Sequence, residues 1–170
     1  MTEPVPRREP EADPQTEAAP ESGSELDSEV AALRERWVGE AFDLSTFDID
    51  GEKMVAWATA AGETDPRFID PTHDDFQAHP NFTTHCLSGR VLPEDFPQIG
   101  GPRGIDGGKA VEIHQPIRAG DRLRASTTIA DVYTKTGRSG TMIFIVQRMS
   151  FVNQRDEAVA TVDWRMIRSP

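Results

Sequence analysis

An α+β domain is the fold class this chain predicts, and three features carry the prediction. Two segments of helical period lie toward its start, and a middle stretch rich in proline and glycine follows them. From Lys109 onward, long β-rich runs are separated by well-marked turns, the pattern of an antiparallel meander.

Ser28 to Val38 reads as a short helix, with Ser28 at its N-cap and Gly39 just past its end. Ala41 to Phe47 reads as a first strand, because Phe42 and Leu44 alternate with polar neighbours. Asp50 can cap a helix covering Glu52 to Ala61, and Gly62 fits as its stop. Val55, Ala58, Thr59 and Gly62 form one face, widened by Met54, Trp57 and Ala61. Residues 63–109 read as irregular. Gly100-Gly101-Pro102-Arg103-Gly104 and Gly107-Gly108 are loops without the spacing of a phosphate cradle. Four strands then follow: Ala110 to His114, Leu123 to Tyr133, the apolar run Met142 to Val146, and Ala158 to Ile167. The last places Val162, Trp164 and Met166 on one face. Gly120, Gly137-Arg138-Ser139-Gly140 and Asn153 to Asp156 mark the turns between them.

The 170 residues suffice for one domain, and their net charge of −11 is unevenly placed. Residues 1–29 hold nine acidic side chains against Arg7 and Arg8, and five of the thirteen prolines. Such a segment has too little apolar surface to offset its ordering entropy, so residues 1–28 are expected to be a disordered acidic tail and 29–170 the folded domain. The acidic balance argues against nucleic acid, whose phosphates require clustered Lys and Arg. No basic start followed by an apolar run reads as a secretory signal, and no stretch is long enough to cross a bilayer. Cys86 is the only cysteine, which excludes an internal disulfide and fits a reducing cytoplasm.

The chemistry concentrates in Gly62-Glu63-Thr64-Asp65-Pro66-Arg67-Phe68-Ile69-Asp70, followed at a distance by Gln115-Pro116-Ile117-Arg118-Ala119-Gly120-Asp121-Arg122-Leu123. Together these resemble the MaoC-like (R)-specific enoyl-thioester hydratase/dehydratase family, in particular its N-terminal-half branch. The family motif runs roughly G-D-x-N-P-x-H-x-D, with the first Asp and the His as the catalytic pair. Here Glu63 stands at the Asp position and Phe68 at the His position. The resemblance covers about residues 36–168. It implies a single hot-dog fold, a strongly curved antiparallel sheet around a central helix, and it places that helix within Thr83 to Leu92.

Hydration of a 2-enoyl thioester moves protons at two adjacent carbons, work suited to a carboxylate and an imidazole together. A phenyl ring exchanges no proton, and losing a general acid/base typically forfeits about 10²–10⁴ in rate. A carboxylate displaced by about 1 Å can cost on the order of a hundredfold more. The pattern is that of a non-catalytic member of a pair. Family sites are built between two hot-dog units, so the resemblance implies a catalytic MaoC-like hot-dog partner subunit carrying the intact Asp and His. It also implies an acyl-CoA or acyl-carrier-protein thioester as ligand and no cofactor. Two other readings stay open: a hot-dog thioesterase directing water with Glu63 or Asp65, and a non-enzymatic acyl-thioester binder or structural subunit.

Of the remaining candidates, Asp65 before Pro66 reads first as a turn scaffold, and Phe68 as packing or part of an acyl-pocket wall. Gly89 is a candidate for presenting backbone N–H groups to a thioester carbonyl if the central helix begins near it. Arg90 and Arg103 read as surface arginines rather than phosphate contacts. His73, His79 and His85 are six residues apart, a spacing that scatters them around a helix and gives no metal site. They read as surface or loop histidines, with Asp75 and His79 able to pair. Cys86 reads as a buried small hydrophobe, and His114 as an interface or hydrogen-bonded residue at a strand end.

Overall fold

The computed structural model describes residues 21–87, 90–138 and 140–169, with side chains from Glu25 onward. Helix α1 covers Glu21–Trp37, strand β1 Ala41–Asp48, α2 Gly51–Ala60, and the single turn α3 Pro66–Ile69. A 3-10 helix follows at Pro80–His85. Strands β2 (Gly104–Ile113), β3 (Arg122–Gly137), β4 (Gly140–Val152) and β5 (Ala158–Arg168) complete the chain. All strand pairs are antiparallel, in the order β1-β3-β4-β5-β2. Bulges in β1, β2 and β3 bend the sheet.

Alternation sets the two faces. On β4, Ile143, Ile145, Gln147, Met149 and Phe151 face inward and are all buried. Two apolar clusters occupy this inner face. Met54 of α2, with Phe82 and Cys86 of the 3-10 segment, packs on Leu123, Ala125, Met149, Phe151 and Val162. Val30 and Leu33 of α1, with Ile99, pack on Ile129, Val132, Ile143 and Ile145. Each fully buried side chain of this size contributes about 1.5–3 kcal/mol through removal from water. Between the clusters lie Thr127 and Gln147, both buried. The Gln147 Nε2 donates to the carbonyls of Arg90 and Val91 at 3.3 and 3.1 Å, while the Thr127 hydroxyl has no partner among the described residues.

The α2 prediction holds to within a residue. Asp50 accepts from the N–H groups of Glu52 and Lys53, and Gly62 follows the helix at φ +78°. Two expectations are corrected. The first helix starts at Glu21 rather than Ser28, so residues 21–28, expected in the disordered tail, are helical; residues 1–20 lie outside the described residues. The central helix expected within Thr83 to Leu92 is a 3-10 turn ending at His85, with irregular backbone at Cys86, Leu87 and Arg90 onward. Pro80 can open such a turn, and the residues that follow His85 carry no helical period to extend it. Among the described residues no helix is long and apolar enough to cross a membrane.

Candidate functional site

The Gly62–Asp70 turn leaves α2 and is held against the sheet by the β2–β3 connector. Arg118 donates to the Phe76 carbonyl at 2.8 Å and to Asp75 Oδ1 at 2.9 Å, and the Ala78 N–H donates to the Ile117 carbonyl. Gly120, at φ +86°, makes the reversal that lets Asp121 accept from the Arg118 N–H and from Gln154. Gln77 N–H in turn donates to the Arg67 carbonyl. A position in the motif is therefore fixed by two neighbouring segments.

Asp65 scaffolds the turn, as its place before proline suggests. Its Oδ1 caps α3 by accepting from the Arg67 N–H, and its Oδ2 takes the Arg67 guanidinium at 2.6 and 3.0 Å. Both bonds hold its carboxyl below the usual range. Glu63 folds back on its own turn: Oε1 accepts from the N–H groups of Thr64 (2.7 Å) and Asp65 (2.9 Å). Those two donors are the main cause of its lowered pKa. A carboxylate so held is a weak proton acceptor near neutrality.

Phe68 lies half-buried beside His79, ring centroids 5.3 Å apart and edge to face, with the Arg67 guanidinium over the Phe68 ring 5.3 Å from its centroid. His79 Nε2 stands 3.5 Å from Glu63 Oε2. The imidazole thus stands against both Glu63 and Phe68. Sequence reading placed His79 with the surface histidines and offered Asp75 as its partner. Asp75 binds Arg118 instead. No local pattern marks His79, because its proximity to Glu63 comes from the packing of the 3-10 segment on α2.

The other candidates fall outside this cluster. Cys86 is buried, and burial pushes its thiol up to about 11. His114 Nε2 shares a hydrogen bond with the Thr161 hydroxyl at 2.9 Å. Arg90 pairs with Glu94 at 3.0 Å, and Gly89 lies outside the described residues. His85 stacks near Trp57 and Phe82, beside a cleft of about 340 Å³ whose lining includes Phe47, Ile49, Lys53 and Cys86.

The curved five-stranded antiparallel sheet with its helices matches the hot-dog fold of solved dehydratases and hydratases. The fold is shared with the ChsH1-ChsH2 complex from Mycobacterium tuberculosis, at TM-score 0.62 and 20% identity over 86% of this chain and 92% of that one. It is shared too with the HadBC (3R-hydroxyacyl-ACP dehydratase) complex from the same organism, at TM-score 0.57 and 21% identity over 77% and 93%. In sequence the chain is 30% identical to a UPF0336 protein of Streptomyces griseus over 118 residues, 62% of this chain and 77% of that protein. Residues 36–162 match the FAS1-like dehydratase domain region, and the chain belongs to that family. The MaoC-like resemblance read from the motif is thereby upheld.

Proposed function

We propose that this chain is the non-catalytic hot-dog subunit of a heteromeric (R)-specific enoyl-thioester hydratase or 3-hydroxyacyl-thioester dehydratase. The observation that carries the reading is the state of the motif pair. Phe68 cannot exchange a proton, and Glu63 is bound by two N–H groups of its own turn. In this reading the partner subunit supplies the working Asp and His, while Phe68 contributes to the wall of the acyl site and Asp65 keeps the turn in place. Support for a hot-dog partner comes from the two M. tuberculosis structures, each a complex of two different chains. Among the described residues strand β2 is paired with β5 only and exposes Ile105 and Ile113, so its edge offers main-chain groups to a second sheet. The ligand is an acyl thioester, on coenzyme A or a carrier protein, and the setting is cytoplasmic.

Hydration of a 2-enoyl-CoA by the purified chain, alone and with its co-purified native partner, tests the reading. Activity is expected only in the complex, and loss of an acid/base there corresponds to about 10²–10⁴ in rate. Robust hydration by the isolated chain, or a native complex without a second hot-dog subunit, would overturn it.

A further inference from the structure

The outer face of the sheet changes character along its strands. Toward the β4–β5 hairpin its arginines are paired: Arg122 with Asp48, Arg124 with Asp156 and Arg148 with Asp163. At the opposite end, Tyr133 of β3 stands beside Phe144 of β4, Phe144 beside Ile167 of β5, and Ile167 beside Ile105 of β2. Alternation puts all four on the outer face, because Val132, Ile143 and Ile145 face inward and are buried. The Tyr133 and Phe144 rings stack at 5.0 Å and 3°. These two and Ile167 are half-buried, while Ile105 is 62% exposed. At a strand spacing of about 4.8 Å the row is about 14 Å long. Cations flank it on both sides. Lys135, two residues beyond Tyr133, holds its ammonium 5.4 Å from each ring centroid. Arg165, two residues before Ile167, lies on the other side, opposite Val146. Neither pairs with a carboxylate among the described residues; Asp131, the acidic side chain opposite Val146 on β3, is taken by Arg34 at 3.3 Å.

We propose that this row is the docking surface for an acidic amphipathic helix of a partner protein. The helix lays its apolar stripe along Tyr133, Phe144, Ile167 and Ile105, and carboxylates on either side of the stripe meet Lys135 and Arg165. The dimensions agree. Three helical turns advance about 16 Å, with one apolar side chain per turn of about 5.4 Å, close to the length of the row and the spacing of its strands. The charges select this occupant. A second copy packed on the same face would offer the two cations no free carboxylate, only each other. An anionic membrane would be repelled by the chain's net charge of −11. The row faces outward from the sheet, whereas the β2 edge runs in its plane, so this partner is additional to a hot-dog subunit.

Fluorescence anisotropy of the full chain with a labelled helical peptide of about four turns tests this surface. Its Leu residues stand at helical spacing on one face, flanked on both sides by Glu. The same peptide with Lys in place of every Glu is the control. The Glu peptide is expected to bind about tenfold tighter than the Lys peptide, and its affinity should fall with added salt. Lys135→Glu combined with Arg165→Glu should reverse the preference while circular dichroism stays unchanged, since neither side chain is in an ion pair. Ile105→Asp, at the most exposed position of the row, should abolish binding of the Glu peptide without unfolding the chain. Amide resonances of Tyr133, Phe144 and Ile167 should shift on titration, and those of Leu44 and Val152 at the other end of the face should not. Equal binding of the two peptides, no binding up to about 1 mM, or shifts away from the row would overturn the proposal. So would sedimentation of the chain alone as a dimer that Ile105→Asp dissociates, which would assign the row to a second copy.

Discussion

The β2–β3 connector and the Gly62–Asp70 turn are both family segments, both rich in charge, and they differ in what their side chains leave over. In the connector every named polar group is engaged: Arg118 with Asp75 and the Phe76 carbonyl, and Asp121 with the Arg118 N–H and Gln154. In the turn, Asp65 is engaged at both oxygens, whereas Glu63 Oε2 and His79 Nε2 meet each other at 3.5 Å, beyond good hydrogen-bond length. Charge alone does not separate scaffold from site. What differs between the two segments is how closely their polar groups are paired: the connector's bonds are short throughout, while the turn keeps one long contact.

The sharpest way to break this contrast is at Gly120. Gly120→Val places a β-branched residue at φ +86°, and the left-handed conformation should cost about 1–2 kcal/mol or more. A thermal melt should show a drop of several degrees, roughly 2–4 °C per kcal/mol for a chain of this size. Arg118→Met comes next. Its ion pair is half-exposed and so contributes little, but the Phe76 carbonyl loses a charged donor, for a total of about 1 kcal/mol in urea unfolding. If the connector is scaffold, this loss should appear in stability and leave the activity of the native complex unaltered. The smallest effect is in acid. Glu63 and Asp65 are held below their ordinary values when folded. Their contribution is therefore present above about pH 4.5 and is lost as pH falls through the lowered folded values. Glu63→Gln should flatten part of that acid limb in a stability–pH profile, and an unchanged limb would show that the backbone bonds to Glu63 are immaterial.

Much of the fold was legible because its signals are local. Asp50 and Gly62 bracket α2 by capping chemistry, and the apolar run Met142 to Val146 marks the sheet's middle strand. The start of α1 was not legible. Its first turns carry Glu21, Glu25 and Asp27, a composition that reads as tail, while Val30 and Leu33 further along supply the burial that holds the helix to β3 and β4. The segment after His85 is a different case: the helix there is implied by the resemblance alone, and residues 83–92 carry no helical period of their own. Of the candidate site, Glu63 and Phe68 stood out because a motif frame makes a substitution visible. His79 did not, since nothing in its neighbours announces that the 3-10 turn carries it back to the motif.

The buried amide of Gln147 has a dynamic consequence. It stands in the row joining Ile129, Trp164 and Lys109, where the apolar clusters on either side share no buried residue. A core parted in this way gives its halves separate routes to opening. Amide deuterium uptake should resolve two cooperative units, one spanning α1 with the far ends of β3 and β4, the other α2 with the strand ends near Phe151. The motif turn and its imidazole belong to the second, so breathing of the α1 unit can proceed while that end of the molecule stays closed.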